Sequence, residues 1–295
     1  MNKFLLQKNN RKSLRPIVWQ LKDMFYFGLS ALFYIITMMI CLFPAVWSLI
    51  SSLKPNEMQF IVEFWPKEIT CENYLVVLQD HSFIKAIYNS LIVAGSATVI
   101  SSVMALLAAY PLSRKKFIAR QTLIMMFLSI MSIPHIALLS GLFSIINSLG
   151  LYNNKCSLVL SYTVFLVPFL VWMLTNFMKA IPKEIEEAAM LDGANDCIML
   201  RKILIPLMLP SLVTTSVVAF IMAWNEFLFA LTFTLTNKAR TVPVVIALFS
   251  GNSQYELPFG TIMAASMSVT IPILILVIVF HNRIINGFIR SGTKS

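Results

Sequence analysis

Nowhere in the 295 residues does Gly-x4-Gly-Lys-Ser/Thr occur, so the chain lacks the phosphate loop common among nucleotide hydrolases. Charge is equally thin. Only 12% of residues are charged, 13 of them acidic, and the three histidines, His81, His135 and His281, lie in separate segments at different depths. A membrane enzyme needs an assembled catalytic group, and neither those histidines nor any carboxylate pair within an apolar run supplies one. Four cysteines, Cys41, Cys71, Cys156 and Cys197, are scattered, which excludes a disulfide framework and a thiolate metal site. Internal repeats, low-complexity tracts and Gly/Ser linkers are missing too, so a single domain is expected.

What the chain has is apolar length. Hydrophobic residues make up 58% of it and the mean hydropathy is +0.79, against ~45–50% apolar content in soluble domains. Crossing ~30 Å of hydrocarbon at ~1.5 Å per residue takes ~20 mainly apolar residues. Six segments meet that length: 24–50, 88–112, 121–147, 156–178, 207–234 and 260–282. They are too long and too evenly apolar for barrel strands, so the fold class is an all-α membrane protein with six transmembrane helices. The net charge of +10 is sided, because most of the 23 basic residues precede the first span or follow the second, fourth and sixth. The positive-inside rule places both termini in the cytoplasm, and the basic excess then needs no nucleic-acid partner. Residues 1–23 form a cytoplasmic segment, 24–282 the membrane domain and 283–295 a cytoplasmic tail. The first span reads as a retained signal anchor, since its apolar core exceeds that of a cleaved leader.

Three connections are long enough for recognition. Residues 54–86 lie outside, with five acids against three lysines; "NYLVVL" and "FIKAI" read as interfacial helices, and Trp65 and Tyr74 as headgroup-level aromatics. Residues 235–259 form a second external loop, holding the short apolar run "VPVVIALF". The third connection, about 180–206, is cytoplasmic. Pro182 suits a first helical turn, and Glu184, Glu186 and Glu187 favour the positive end of a helix dipole. Gly193 is placed to end that helix in the left-handed conformation. Asn195 or Asp196 caps a second helix, which Pro206 ends or bends. Ala188 and Ala189 let another backbone approach closely, whereas a merely solvated connector would gain from longer polar groups.

"EAAMLDGANDCIMLRKILIP" is similar to the signature of permease subunits of binding-protein-dependent ABC importers: Glu-Ala-Ala, three residues, Gly, nine residues, then Ile-x-Leu-Pro. The match falls on Glu187, Ala188, Ala189, Gly193, Ile203 and Pro206, with Asp192 beside the glycine and Ile205 where the family usually has Leu. "NSLIVAGSATVISSVMALLAAYPLSR", "LVPFLVWML", "AWNEFLFAL" and "HNRIINGFIRSG" resemble the carbohydrate branch, in particular the maltose-permease-like second subunit. The resemblance implies a type I ABC importer permease fold whose 180–206 loop is a coupling helix seated on an ATPase. It implies as partners a second permease subunit, two copies of a cytoplasmic ATPase that hold ATP and Mg, and an extracytoplasmic solute-binding protein. No cofactor is expected in this chain. The solute it implies is a sugar or oligosaccharide, with a polyol or glycerophosphate-type solute as the alternative.

Polar groups inside the membrane are costly, which makes His135, Tyr162, Trp224, Asn225 and Glu226 the candidates for a substrate path. The plainer readings are a neutral imidazole satisfied by a neighbouring helix for His135, and a residue reaching to interfacial water for Glu226. A proton-coupled carrier would want more intramembrane carboxylates than Glu226 alone. Pro111, Pro134, Pro168 and Pro272 read as shaping or kinking helices. Asn252, Ser253 and Gln254, at the polar tip "SGNSQYE", are the expected contact for the binding protein.

Overall fold

No strand occurs among the described residues of the computed structural model, which are 17–55, 64–249 and 258–292, with side chains placed between 24 and 281 within those ranges. Helix α1 (Ile17–Ser52) is followed by the short α2 (Glu72–Gln79) and the long α3 (His81–Arg114). Next come α4 (Arg120–Met131), α5 (His135–Ser148), α6 (Lys155–Lys179) and α7 (Glu184–Leu191). The single turn α8 (Asp196–Ile198) passes through a π-helical stretch, Met199–Leu204, into α9 (Ile205–Trp224). The short helices α10 (Leu228–Phe233) and α11 (Val242–Ala247) precede α12 (Phe259–Gly292). Five stretches are long and apolar enough to cross a bilayer: Met24–Ser52, His81–Arg114, Lys155–Lys179, Asp196–Trp224 and Phe259–His281.

The third expected span, 121–147, is not one helix. α4 and α5 meet at 97° across Ser132, Ile133 and Pro134. Pro134 is extended (φ −59°, ψ 133°) and caps α5; it has no N–H to continue α4, and it disfavours the helical region for Ile133. The last amides of the arriving chain turn back on themselves, Ser132 N–H to the Ser129 carbonyl and Ile133 N–H to the Ile130 carbonyl. A proline expected to kink the span breaks it, and His135 becomes the first residue of α5.

The fifth span differs as well. Instead of 207–234, helix runs from Asp196 to Trp224, and residues 225–227 separate it from α10. Pro206 does not end the helix but lies in the first turn of α9, directly after the π-helical stretch, where the Ile205 N–H reaches back five residues to the Leu200 carbonyl. On the other side of the molecule "NYLVVL" is α2, as expected, whereas "FIKAI" belongs to α3, which starts early because the Asp80 carboxylate accepts the Ser82 N–H at 2.7 Å. Tyr74 is half-buried, its hydroxyl 2.7 Å from Ser52 Oγ, and so ties α2 to α1.

The largest helix pairing is α3 with α6. α3 contributes Ala94, Ala97, Ala105 and Ala109 to the central core, and α6 contributes Leu158, Leu166, Leu170 and Leu174. Between helices in lipid, small residues of this kind allow backbones to approach and gain dispersion contacts. A second apolar cluster, with Val77, Phe83, Ala86, Val242, Val245, Ala264 and Ala265, gathers α2, α11 and α12 around the start of α3.

The irregular stretch 234–241 is held by side chains. Buried Asn89 shares its amide hydrogens among the carbonyls of Asn237 (3.3 Å), Lys238 (3.3 Å) and Arg240 (2.9 Å). Ser90 Oγ accepts the Val242 N–H, and Asn237 donates to Ser82 Oγ. From the opposite side Asn153, at φ 58°, accepts the N–H groups of Leu235 and Thr236, both at 3.0 Å, on its side-chain oxygen. Asparagine is among the few side chains that tolerate the left-handed region. Replacing Asn89 by Ala removes the donor for three carbonyls, a cost of about 1–3 kcal/mol. In detergent, Asn89→Ala should lose its fold at a lower temperature than the parent, and Asn89→Asp, which turns an acceptor toward acceptors, at a lower one still. Parental heat resistance in the alanine variant would show that Asn89 does not hold this loop.

Candidate functional site: the 180–206 loop and the polar groups of the bundle

α7 begins without a side-chain cap. Pro182 stands just outside it, and the first turn closes through the Lys183 carbonyl, which accepts the N–H groups of Glu186 and Glu187 at 2.9 Å. Three carboxylates in that turn, Glu184, Glu186 and Glu187, offset the unsatisfied amides electrostatically. The helix stops at Gly193, whose φ of +84° only glycine adopts without strain. Two backbone bonds complete the turn: Ala194 N–H to the Ala189 carbonyl and Gly193 N–H to the Met190 carbonyl, each 3.0 Å. This is a Schellman end. Asn195, not Asp196, caps the next helix, its side-chain oxygen accepting the Ile198 N–H at 2.9 Å.

The loop has two faces. Glu187, Ala188, Asp192 and Gly193 are exposed, together with Ile185, Met190 and a Leu191 that is 90% exposed. Ala189 and Ile203 are half-buried against the central core, while Pro206 is exposed. Of the two alanines, therefore, only Ala188 is free to be approached.

The inward face depends on residues that charge counting had treated only as markers of sidedness. Arg114, the last residue of α3, forms an ion pair through Nε with Glu186 Oε1, with the two side chains 7% and 6% exposed. It also donates from Nη2 to the Ile181 carbonyl at 3.0 Å. Asp196 accepts from Tyr110 Oη at 2.8 Å and from Lys115 Nζ at 2.9 and 2.7 Å. Lys115 also lies 5.8 Å over the Tyr110 ring. Arg120 covers the end of α3, donating to the carbonyls of Leu112 (2.8 Å) and Ser113 (3.4 Å). The two ties differ in strength. Lys115–Asp196 is about half exposed (48% and 57%), where such pairs contribute ~0–1 kcal/mol. Removing one partner of a buried pair such as Arg114–Glu186 costs about 3–5 kcal/mol.

Within the bundle, His135 is exposed on one side, and its ring lies 4.7 Å from Phe165 and 5.8 Å from Phe229. Tyr162 is fully buried, its ring 5.8 Å from Phe165. Trp224, also buried, packs on Phe220 at 5.6 Å. Asn225 is exposed and turns its amide back to the Ile221 carbonyl at 2.9 Å. Glu226 is buried, and both oxygens are engaged: Oε1 accepts the Phe229 N–H at 2.8 Å and Oε2 the Ala230 N–H at 3.2 Å. Its carboxylate caps α10 where α9 has stopped. His135, Tyr162 and the α10 that Glu226 caps meet around Phe165 and Phe229, while Trp224 and Asn225 stay at the end of α9. Sequence reasoning had missed the continuation of this contact into a file of rings, Phe229–Phe233 at 5.6 Å, Phe233–Phe143 at 6.1 Å and Phe143–Tyr152 at 5.9 Å. Asn252, Ser253 and Gln254 lie outside the described residues.

Known proteins are similar to this chain over most of its length. The chain is 37% identical over 253 residues to the trehalose transport system permease protein SugB of Mycobacterium tuberculosis, covering 86% of this chain and 92% of that one. It is 37% identical over 262 residues to the trehalose/maltose transport system permease protein MalG of Thermococcus litoralis, covering 88% and 94%. Among solved structures, a chain of a bacterial ABC transporter involved in the import of the acidic polysaccharide alginate superposes with a TM-score of 0.75 at 22% identity, over 88% of this chain and 97% of that one. Residues 97–291, which include the whole 180–206 loop, match the family described as binding-protein-dependent transport system inner membrane component. The chain belongs to that family and is a multi-pass permease subunit of an ABC importer.

Proposed function

We propose that this chain is one of two transmembrane subunits of an ATP-driven importer and forms half of the path for a sugar or oligosaccharide. A second permease supplies the other half, and two copies of a cytoplasmic ATPase, holding ATP and Mg, supply the energy. An extracytoplasmic binding protein delivers the solute. The observation that carries the reading is the outward face of α7, where Glu187, Ala188 and Leu191 stand exposed on a helix whose end is fixed by the Gly193 turn. Apolar side chains in water on a loop between two spans are a surface shaped for another protein.

The sugar reading is supported by relatives named for trehalose, trehalose and maltose, and sulfoquinovosyl glycerol. The exposed rings of Phe143 and Tyr152, at the end of the aromatic file that starts beside His135, supply aromatic faces that sugars stack on, and His135 and Asn225 are the exposed donors and acceptors of the candidate set. The sulfoquinovosyl glycerol relative also keeps a glycerol-bearing solute in view. In this reading both termini and the 180–206 loop are cytoplasmic, and Asn252, Ser253 and Gln254 face the binding protein.

Proteoliposomes containing this chain, its partner permease, the ATPase and the binding protein should take up labelled trehalose or maltose when ATP is enclosed with the ATPase. Omitting the ATPase or the binding protein should abolish uptake. Uptake driven by a proton gradient in the absence of the ATPase would refute the reading.

Gly193 tests the loop separately. A Cβ built there meets nothing within 4 Å, so Gly193→Val perturbs only the backbone conformation, by at least ~1–2 kcal/mol. Transport should fall in Gly193→Val, and less in Gly193→Ala, while the chain still inserts. Parental transport by the valine variant would remove the coupling role from this turn.

A further inference from the structure

The two ends of the 180–206 loop are joined covalently to α6 and α9, but the contacts at its inner face lead to α3. We propose that Arg114 and Glu186 are a positioning pair that delivers displacement of the α7 limb to α3, with Lys115–Asp196 as a second tie that can release. This rests on the coupling role proposed for the loop. Arg114 holds the first limb at two points, the Glu186 carboxylate and the Ile181 carbonyl in the turn leading to α7. Because both charges are buried, neither salt nor water screens the pair as it would at the surface. Any motion of α7 relative to α3 would strand two charges in a site with little solvent, so the limb and the helix end move together.

The second limb is attached differently. Asp196 and Lys115 are open to solvent, and water can replace each partner, so this contact is free to break and remake during a cycle. α3 is well placed to pass the displacement on. It shares its longest interface with α6 and is joined to α9 by the hydroxyls of Ser102 and Ser216, 2.9 Å apart. Its far end, through Asn89, Ser90 and Ser82, holds the 234–242 segment on the opposite side of the molecule. A push on α7 thus reaches both surfaces through one helix.

The test uses the complete importer in proteoliposomes with trehalose or maltose as probe, and reads solute accumulated per ATP hydrolysed. Glu186→Gln should still assemble with the ATPase and hydrolyse ATP in response to the binding protein, while solute per ATP falls by at least ~5-fold. The exchanged pair, Arg114→Glu with Glu186→Arg, restores the ion pair but not the donor to the Ile181 carbonyl, and should recover part of that ratio. Asp196→Asn should change it less than ~2-fold, as expected of an exposed pair. A parental ratio in Glu186→Gln overturns the proposal. So does an exchanged pair that regains assembly without regaining any of the ratio, or one that regains neither, since either outcome assigns the pair to folding alone. A parental complex with no ATP hydrolysis in response to the binding protein would overturn the importer reading, and this proposal with it.

Discussion

A peptide group in hydrocarbon has no water to pair with, and each unpaired one costs several kcal/mol, about as much as the whole margin by which many domains stay folded. That constraint orders this molecule. It forces the membrane segments into long helices, and it makes every place where a helix stops within the bundle a place that must be capped. At Pro134 the last amides of α4 turn back on their own carbonyls. Beyond Trp224 the Glu226 carboxylate takes the two amides that open α10. Four of the five polar candidates for a solute path, His135, Trp224, Asn225 and Glu226, lie at these two interruptions, and the fifth, Tyr162, is buried in α6 against Phe165.

The 180–206 loop meets a different requirement, that of staying rigid outside the apolar core. Its order comes from local devices, the carboxylate-rich first turn, the Gly193 end and the Asn195 cap, which set the loop's shape. The buried Arg114–Glu186 pair then sets its attachment. What is left exposed is a short helix with Glu187, Ala188 and Leu191 on one side, stiff enough to transmit a displacement and apolar enough to be held by a partner.

Much of this was legible in the sequence because it is local. Unbroken apolar length marks spans, and glycine after a helix-forming run marks its end, so the loop and the first, fourth and sixth spans were found within a few residues. The rest depends on partners far along the chain. Hydropathy sees residues 121–147 as uniformly apolar and registers Pro134 as a kink, since nothing in the window says that α5 will turn away to meet Phe165 and Phe229. Glu226 looked like an intramembrane charge in search of a solute or of water, when its oxygens serve amides three and four residues on. Arg114 and Lys115 carried weight only as topology markers, because no periodicity links the end of one helix to Glu186 and Asp196 in a distant loop. Tyr110 had no signal at all.

The central claim is that the outward face of α7 lies in the cytoplasm and is where the ATPase engages. A single cysteine at Leu191, the most exposed position of that face, in a background without the native cysteines, tests it directly. In the assembled importer, a short thiol crosslinker should join this position to the ATPase subunit in inside-out vesicles, and a membrane-impermeant thiol reagent should fail to label it in intact cells. Labelling from outside the cell, or an assembled importer in which no adduct to the ATPase forms, would contradict the account.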